Sequence, residues 1–216
     1  YAVNGVTGNL TAIAIKDMKS SEKIDLLDGN DIDVKSMVEE NCAGFVYGDM
    51  TSVAVSEDGS KLAVAIQAEN YADTGRVALF TCNADGTLTF DKVYETGVQP
   101  DMVTFASNDS KILTADEGEP RDGYGDGIID PKGTVTIINL ADQTVSQVDF
   151  TSYDNSDSRE QLVESGVILK KNTNPSVDFE PEYIAVGDKT AYVTLQEANA
   201  IAVIDLNQQS LTGVYS

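Results

Sequence analysis

The sequence contains an internal repeat, and a repeat restricts the fold of a chain more than any other feature. Three segments, at residues 52–67, 101–117 and 182–197, share a short apolar strand, a polar turn and a second, alternating strand. The turns are built from Gly, Asp, Asn, Ser and Lys, most of which favour tight chain reversal. A third β-rich run follows each hairpin, and a fourth follows the first two hairpins at 88–94 and 144–150. The repeat unit is therefore predicted to be an antiparallel sheet of four strands.

The spacing of the repeat favours a propeller. Lys61 and Lys111 occupy the same repeat position and lie 50 residues apart, which suits a four-stranded propeller blade. The predicted fold class is all-β, a partial β-propeller of about four blades of four-stranded antiparallel sheets. We expect one domain over residues 1–216, with whole blades at 50–95 and 100–150, incomplete blades at 1–27 and 180–216, and insertions at 28–49 and 151–179. A β-sandwich stays open as the alternative, because it also has regular short strands.

The first blade and the second insertion have more specific expectations. In the first blade, residues 7–17 are expected to form the third strand and residues 22–27 the fourth. In the second insertion, residues 158–165 are expected to form a short helix. The chain opens inside a predicted strand and lacks an initiator Met, so we expect it to be a fragment.

The charge of the chain excludes several partners. Thirty-six acidic residues against fourteen basic ones give a formal net charge of −22. Such a chain repels nucleic-acid phosphates and anionic lipid headgroups, so we expect no nucleic-acid partner. No stretch approaches the eighteen or so apolar residues of a membrane helix, so we expect no membrane insertion by this segment.

Two residue types limit the chemistry. Histidine is absent, which removes the general base of Ser-His and Cys-His hydrolases and the imidazole ligands of most catalytic zinc sites. Cys42 and Cys82 are the only cysteines and form no CxxC pair, so they cannot build a sulfur-ligated metal site. They are either buried thiols, which we favour, or one disulfide.

The densest group of carboxylates lies between residues 116 and 130 and consists of Asp116, Glu117, Glu119, Asp122, Asp126 and Asp130. Calcium takes six to eight oxygen ligands, and a glycine-rich loop can wrap carboxylates and carbonyls around it. Asp122, Asp126 and Asp130, with Gly123, Gly125 and Gly127, therefore form a candidate calcium loop. Its spacing is not that of an EF-hand, and a solvated loop is the alternative.

A second candidate site pairs the motif DEGEP at 116–120 with DFEPE at 178–182. Each motif adjoins a hairpin of neighbouring predicted blades, so both are expected at the same rim of the ring. This places five carboxylates around one mouth near the axis: Glu117, Glu119, Asp178, Glu180 and Glu182. A cation or polar-ligand site is one interpretation. The other is that Pro120 and Pro181 set turn geometry while the acids cap exposed N–H groups.

Long ordered segments of this sequence resemble the choice-of-anchor I family. The resemblance is carried by GVQPDMVTFASNDSKILTADEGEP at 97–120, DPKGTVTIINL at 130–140 and FEPEYIAVGDKTAYVTLQEANAIAVIDL at 179–206. It implies the N-terminal part of a seven-bladed YVTN/LVIVD-like propeller. It also implies an extracellular protein, secreted or anchored to the cell surface, whose C-terminal anchor varies. The loop GYGDGIID at 123–130 departs from the family pattern.

We therefore expect a non-catalytic extracellular or cell-surface module that binds a protein or glycan, with Ca²⁺ as the candidate stabilising ion and no organic cofactor. The alternative is a calcium-dependent propeller phosphoesterase, similar to phytase or alkaline phosphatase, in which clustered carboxylates hold ions that bind phosphate. Phosphate recognition also requires basic residues, and the acidic segment has few nearby, Arg121 and Lys132. A glycosidase is disfavoured, because paired carboxylates lack an aromatic platform in a chain without Trp.

Overall fold

The fold consists of consecutive antiparallel sheets. A computed structural model describes residues 1–12, 31–125 and 127–216. Sheet 1 has three short strands, β1 (Ala2–Asn4), β2 (Asn9–Thr11) and β3 (Asp31–Asp33). Sheets 2, 3 and 4 each have four strands joined in sequence order. Sheet 2 contains β4 (Tyr47–Val55), β5 (Lys61–Ala68), β6 (Thr74–Cys82) and β7 (Leu88–Val98). Sheet 3 contains β8 (Pro100–Ala106), β9 (Lys111–Asp116), β10 (Thr134–Asn139) and β11 (Val145–Val148). Sheet 4 contains β12 (Pro181–Val186), β13 (Thr190–Leu195), β14 (Ala200–Asp205) and β15 (Ser210–Tyr215).

Helices lie outside the sheets. Helix α1 (Val34–Asn41) follows β3 and is capped by Asp33, whose Oδ1 accepts a hydrogen bond from the Ser36 N–H at 2.9 Å. Helix α2 (Ser156–Glu164) and the short α3 (Pro175–Asp178) lie between sheets 3 and 4, after a 3₁₀ turn at Thr151–Tyr153. The predicted helix at 158–165 is thus confirmed as α2. None of the helices in the described residues has the length and apolar character to cross a membrane.

The sheets stack like the blades of a propeller. The first strands of successive sheets pack side by side, β4 against β8 and β8 against β12. A hydrophobic cluster fills each gap between neighbouring sheets, so sheets 2 and 3 are buried on both faces. A sandwich would instead enclose one core between two sheets. The chain is therefore all-β and forms part of a β-propeller.

Hydrogen bonds between sheets repeat at equivalent positions. The Val103 N–H of sheet 3 donates to Ser52 Oγ of sheet 2 at 3.2 Å. One sheet further on, the Ile184 N–H donates to Met102 Sδ at 3.0 Å. Met102 occupies the repeat position of Ser52. Equivalent hydrogen bonds therefore link sheet 2 to sheet 3 and sheet 3 to sheet 4.

The strand boundaries add detail to the predicted blades. Sheet 4 has all four strands within Pro181–Tyr215, whereas we expected an incomplete blade there. The segment 28–49, expected as an insertion, contains β3, α1 and the start of β4. Of the predicted strand at 7–17, residues 9–11 form β2, while residues 13–17 and the predicted strand at 22–27 lie outside the described residues. Cys42 and Cys82 are both free thiols.

Candidate functional site: the acidic mouth

The candidate site lies where the first strands of sheets 3 and 4 begin. Each of these strands starts with Pro followed by an acid, Pro100 and Asp101 in β8, then Pro181 and Glu182 in β12. The pairing register shifts at both places, between Pro100 and Met102 and between Pro181 and Ile184. Such a bulge leaves the inserted residue outside the ladder and re-aims its side chain. The fold therefore places one carboxylate at the same end of each strand.

Carboxylates of the two sheets share one electrostatic neighbourhood. Burial, followed by the charges of Glu119 and Asp101, raises the pKa of Glu117 to about 7. Burial, followed by the charges of Glu197 and Asp101, raises the pKa of Glu182 to about 7. Burial disfavours the ionised carboxyl and like charges held close together disfavour it further, which together explain both pKa shifts. We call these five residues, Asp101, Glu117, Glu119, Glu182 and Glu197, the acidic mouth.

One cation is held at this mouth. The Arg121 guanidinium lies 3.6 Å from Glu117 Oε2 and 3.3 Å from Glu119 Oε2. Its Nε also donates to Gln99 Oε1 at 3.1 Å, and Gln99 is itself buried. Arg121 is thus engaged by its neighbours, and five carboxylates outnumber it.

A second charged centre surrounds Lys170, just before α3. The Lys170 ammonium lies 2.9 Å from Glu180 Oε1 and 3.2 Å from Asp178 Oδ1, and it sits 4.5 Å from the centre of the Tyr124 ring. Burial disfavours this cation, but hydrogen bonds to Glu180, Tyr124 and Asp178 raise the pKa of Lys170 above its ordinary value. Asp178 and Glu180 are almost fully buried, so Lys170 neutralises two desolvated carboxylates.

Asp130 adjoins the Lys170 centre. Its Oδ1 atom is buried and has no hydrogen-bond partner among the described residues. Burial raises the pKa of the Asp130 carboxyl, although the charge of Lys170 partly offsets the effect. Asp178 Oδ1 also lacks a well-directed hydrogen bond, despite its 3.2 Å ion contact with Lys170.

Asp116 lies apart from the other carboxylates. It is fully buried, and its oxygens accept hydrogen bonds from the hydroxyls of Thr114, Thr134 and Thr136 at 2.6–2.8 Å. Burial raises the pKa of Asp116 to about 6, and the threonine hydrogen bonds limit the shift. A Cβ on Gly97 would lie 2.2 Å from Thr134 Oγ1, so this polar group fits closely against β7. Asp116 thus has a role in packing sheet 3 against sheet 2.

The predicted calcium loop is placed only in part. Asp122 is exposed and accepts a hydrogen bond from the Tyr71 hydroxyl at 3.2 Å, while Asp130 belongs to the Lys170 centre. Asp126 lies outside the described residues. Within residues 1–12, 31–125 and 127–216, no three acidic or cysteine side chains are grouped closely enough to hold a metal ion.

Eight of the nine predicted site residues are described, and they do not form one group. Glu117, Glu119 and Glu182 belong to the acidic mouth, with Glu180 at its border. Asp178 and Asp130 lie with Lys170, whereas Asp116 and Asp122 are elsewhere. Four contributors were not predicted from the sequence: Asp101, Glu197, Gln99 and Lys170. The repeat carried a signal for Asp101, because Pro100-Asp101 matches Pro181-Glu182.

The model of the choice-of-anchor I domain matches residues 1–216. The chain belongs to the choice-of-anchor I family. The resemblance seen in the sequence is therefore confirmed. No curated protein is similar to this choice-of-anchor I chain in sequence.

Solved structures with a similar arrangement share little sequence with this choice-of-anchor I domain. Kuenenia stuttgartiensis hydrazine synthase has a TM-score of 0.48 and 13% identity, over 74% of this chain and 41% of that one. A nidogen/laminin complex has a TM-score of 0.44 and 12% identity, over 80% and 48%. The Cps50 (Swd1) β-propeller domain of Myceliophteria thermophila has a TM-score of 0.46 and 11% identity, over 77% and 42%. The chain spans less than half the length of each, and we assign it no activity from them.

Proposed function

We propose that this chain is part of a non-catalytic module at the cell surface, whose acidic mouth binds a cationic group. That group is the basic side chains of a partner protein, because no three carboxylates of the described residues are grouped closely enough to hold a calcium ion; a glycan is the other partner class, and a calcium ion would then need ligands from the partner. The observation that carries the proposal is geometric: bulges at the starts of β8 and β12 place Asp101 and Glu182 at the same end of neighbouring strands, and Arg121 pairs with Glu117 and Glu119 at that end. The pKa of both Glu117 and Glu182, raised to about 7, agrees with this crowding. Carboxylates from two sheets are held together at a cost that a bound cation would offset. Membership of a family named for its anchors and a net charge of −22 support the extracellular location.

Binding is favoured over phosphate-ester hydrolysis by the state of the nearby cations. Phosphate recognition needs Arg or Lys side chains that can turn toward the substrate. Arg121 is paired with Glu117 and Glu119, and Lys170 is paired with Asp178 and Glu180. Both cations are therefore already paired with carboxylates and are not free to bind phosphate. A phosphoesterase would have to break these pairs before it could bind its substrate.

The test compares two variants with the same change in net charge. The first, Glu117→Gln with Glu182→Gln, removes two charges from the acidic mouth. The control, Glu160→Gln with Glu164→Gln, removes two charges from exposed positions of α2. Isothermal titration with CaCl₂ and with poly-lysine measures binding, and thermal melting with calcium or chelator measures stabilisation.

We expect the unmodified chain and the α2 variant to bind at least one probe, and the mouth variant to bind it much more weakly. Equal binding by both variants would show that the acidic mouth is not the binding site. A melting shift with poly-lysine but not with calcium would leave a basic protein as the partner. Hydrolysis of p-nitrophenyl phosphate in the presence of calcium, lost on Glu119→Gln, would support the phosphoesterase instead.

A further inference from the structure

Two connections that are longer than the repeat requires meet beside the Lys170 centre. Residues 117–133 join β9 to β10, whereas residues 69–73 and 196–199 make the same connection in sheets 2 and 4. Residues 149–180 join β11 to β12, whereas a single residue joins β7 to β8. Connections of unusual length commonly carry a binding function. The place where these two connections touch is thus a candidate ligand site outside the acidic mouth.

The two connections border an open cavity of about 560 Å³. Tyr124 and Asp130 line this cavity from the first connection, and Lys171, Asn172 and Asn174 line it from the second. Clefts that bind small molecules have volumes of about 300–1,000 Å³, so this cavity has room for one small ligand.

An aromatic ring forms one side of the cavity. The Lys170 ammonium sits 4.5 Å from the centre of the Tyr124 ring, and this cation–π contact favours one orientation of the ring. Tyr124 nevertheless remains 60% exposed. The ring therefore offers a held apolar surface on which the C–H groups of a ligand can pack.

Polar groups beside the ring have unused hydrogen-bonding capacity. Asp130 Oδ1 is buried and has no hydrogen-bond partner among the described residues. A buried acceptor without a donor costs free energy, and a ligand hydroxyl could supply that donor. Asn174 precedes α3, yet its side chain makes no capping hydrogen bond. Its amide, like that of Asn172, can both donate and accept.

The charges at the cavity balance. Asp130 contributes one negative charge and Lys171 one positive charge, while Lys170 is already paired with Asp178 and Glu180. This balance favours an uncharged ligand. A sugar ring fits the set of groups, because one of its faces consists of C–H groups and its hydroxyls both donate and accept.

We propose that this cavity binds a neutral hexopyranose unit of a glycan, with the sugar packed against Tyr124 and one of its hydroxyls donating to Asp130. The site is separate from the acidic mouth and does not depend on the function proposed for that mouth. It gives a glycan partner a place to bind without a metal ion.

Saturation-transfer NMR tests the proposal with the methyl glycosides of glucose, galactose, mannose and N-acetylglucosamine at millimolar concentration. Tyr124→Ala removes the ring, Tyr124→Phe retains it, and Asp130→Ala removes the acceptor. Tyr183→Ala is the matched control, because Tyr183 lies on sheet 4 and is 59% exposed. Urea unfolding checks that each variant is folded.

We expect at least one glycoside to bind the unmodified chain, Tyr124→Phe and Tyr183→Ala. Its Kd should rise by about fivefold or more in Tyr124→Ala and in Asp130→Ala. The double variant Glu117→Gln with Glu182→Gln should bind it as the unmodified chain does, and loss of binding there would move the sugar to the acidic mouth and overturn the inference.

Two other results would also overturn the inference. One is the absence of binding by all four glycosides, or binding that Tyr124→Ala leaves unchanged. The other is tighter binding of methyl glucuronide than of methyl glucoside, since this would show that the cavity selects an anion through Lys171.

Discussion

Replacing Glu117 by Gln should stabilise the fold at high pH and leave it unchanged at low pH. Glu117 has a pKa of about 7 in place of the ordinary 4.5, and only 17% of its side chain is exposed. At about 1.36 kcal/mol per pKa unit, ionised Glu117 costs the folded state about 3 kcal/mol. This cost already includes the opposing charge of Arg121, 3.6 Å from Glu117 Oε2, which by itself lowers the pKa. The expected gain from Glu117→Gln is therefore about 3 kcal/mol above the folded pKa.

The direction of the pH dependence follows from proton binding. Between about pH 4.5 and 7 the folded Glu117 holds a proton that the unfolded chain has released. Stability therefore falls as the pH rises through this range, and the penalty is complete above the folded pKa. Below about pH 4.5 the carboxyl is protonated in both states, so Gln is close to an isosteric replacement.

Urea unfolding of the unmodified chain and Glu117→Gln, at about pH 4 and about pH 8.5, measures the difference. Glu164→Gln on α2, an exposed position, should change stability by less than about 0.5 kcal/mol at both pH values. A Glu117→Gln variant that gains nothing at high pH, or gains equally at both, would refute the reasoning.

Three further outcomes are expected. Lys170→Met should lower the free energy of unfolding by about 3 kcal/mol, because it leaves the buried carboxylates of Asp178 and Glu180 without a cation. Lys170→Arg should retain most of the stability. Urea unfolding measures both variants. Gly97→Ala should cost more than about 2 kcal/mol, because the added Cβ meets Thr134 Oγ1, while Gly187→Ala, with its nearest neighbour at 3.6 Å, should be nearly neutral. Poly-lysine should raise the melting temperature of the unmodified chain more at neutral pH than at about pH 5, since a protonated carboxyl has no charge to pair with the lysine ammonium groups.

The fold could be predicted from the sequence because each strand carries its own signal. Alternating apolar residues and turn-forming residues recur in three copies, the first two of which are 50 residues apart, and each copy forms a sheet. The expectation failed in extent at the last blade, where we expected the outer strand to be incomplete. Residues 210–215 pair with β14 over their whole length and complete sheet 4, so the strand that we expected to be incomplete is a full one.

The site could be predicted less well. Strand parity separates Asp116 from Glu117: Asp116 shares the face of Ile112 and Thr114, which is buried against sheet 2. The density of acidic residues along the sequence does not show that side chains alternate between the two faces of a strand, so Asp116 and Glu117 were grouped together. Lys170 gave no signal, because it lies in the segment between sheets 3 and 4, which has no counterpart elsewhere in the repeat. Its contacts with Asp178 and Glu180 depend on how that segment folds back.

Carbon-13 NMR titration of the glutamate side chains tests directly whether sheets 3 and 4 bring their carboxylates together at the acidic mouth. Glu117 should titrate at about pH 7, and Glu182→Gln should move that midpoint toward the ordinary value, because it removes one of the nearby negative charges. A Glu117 midpoint near 4.5 in the unmodified chain, or one that Glu182→Gln leaves in place, would contradict the arrangement.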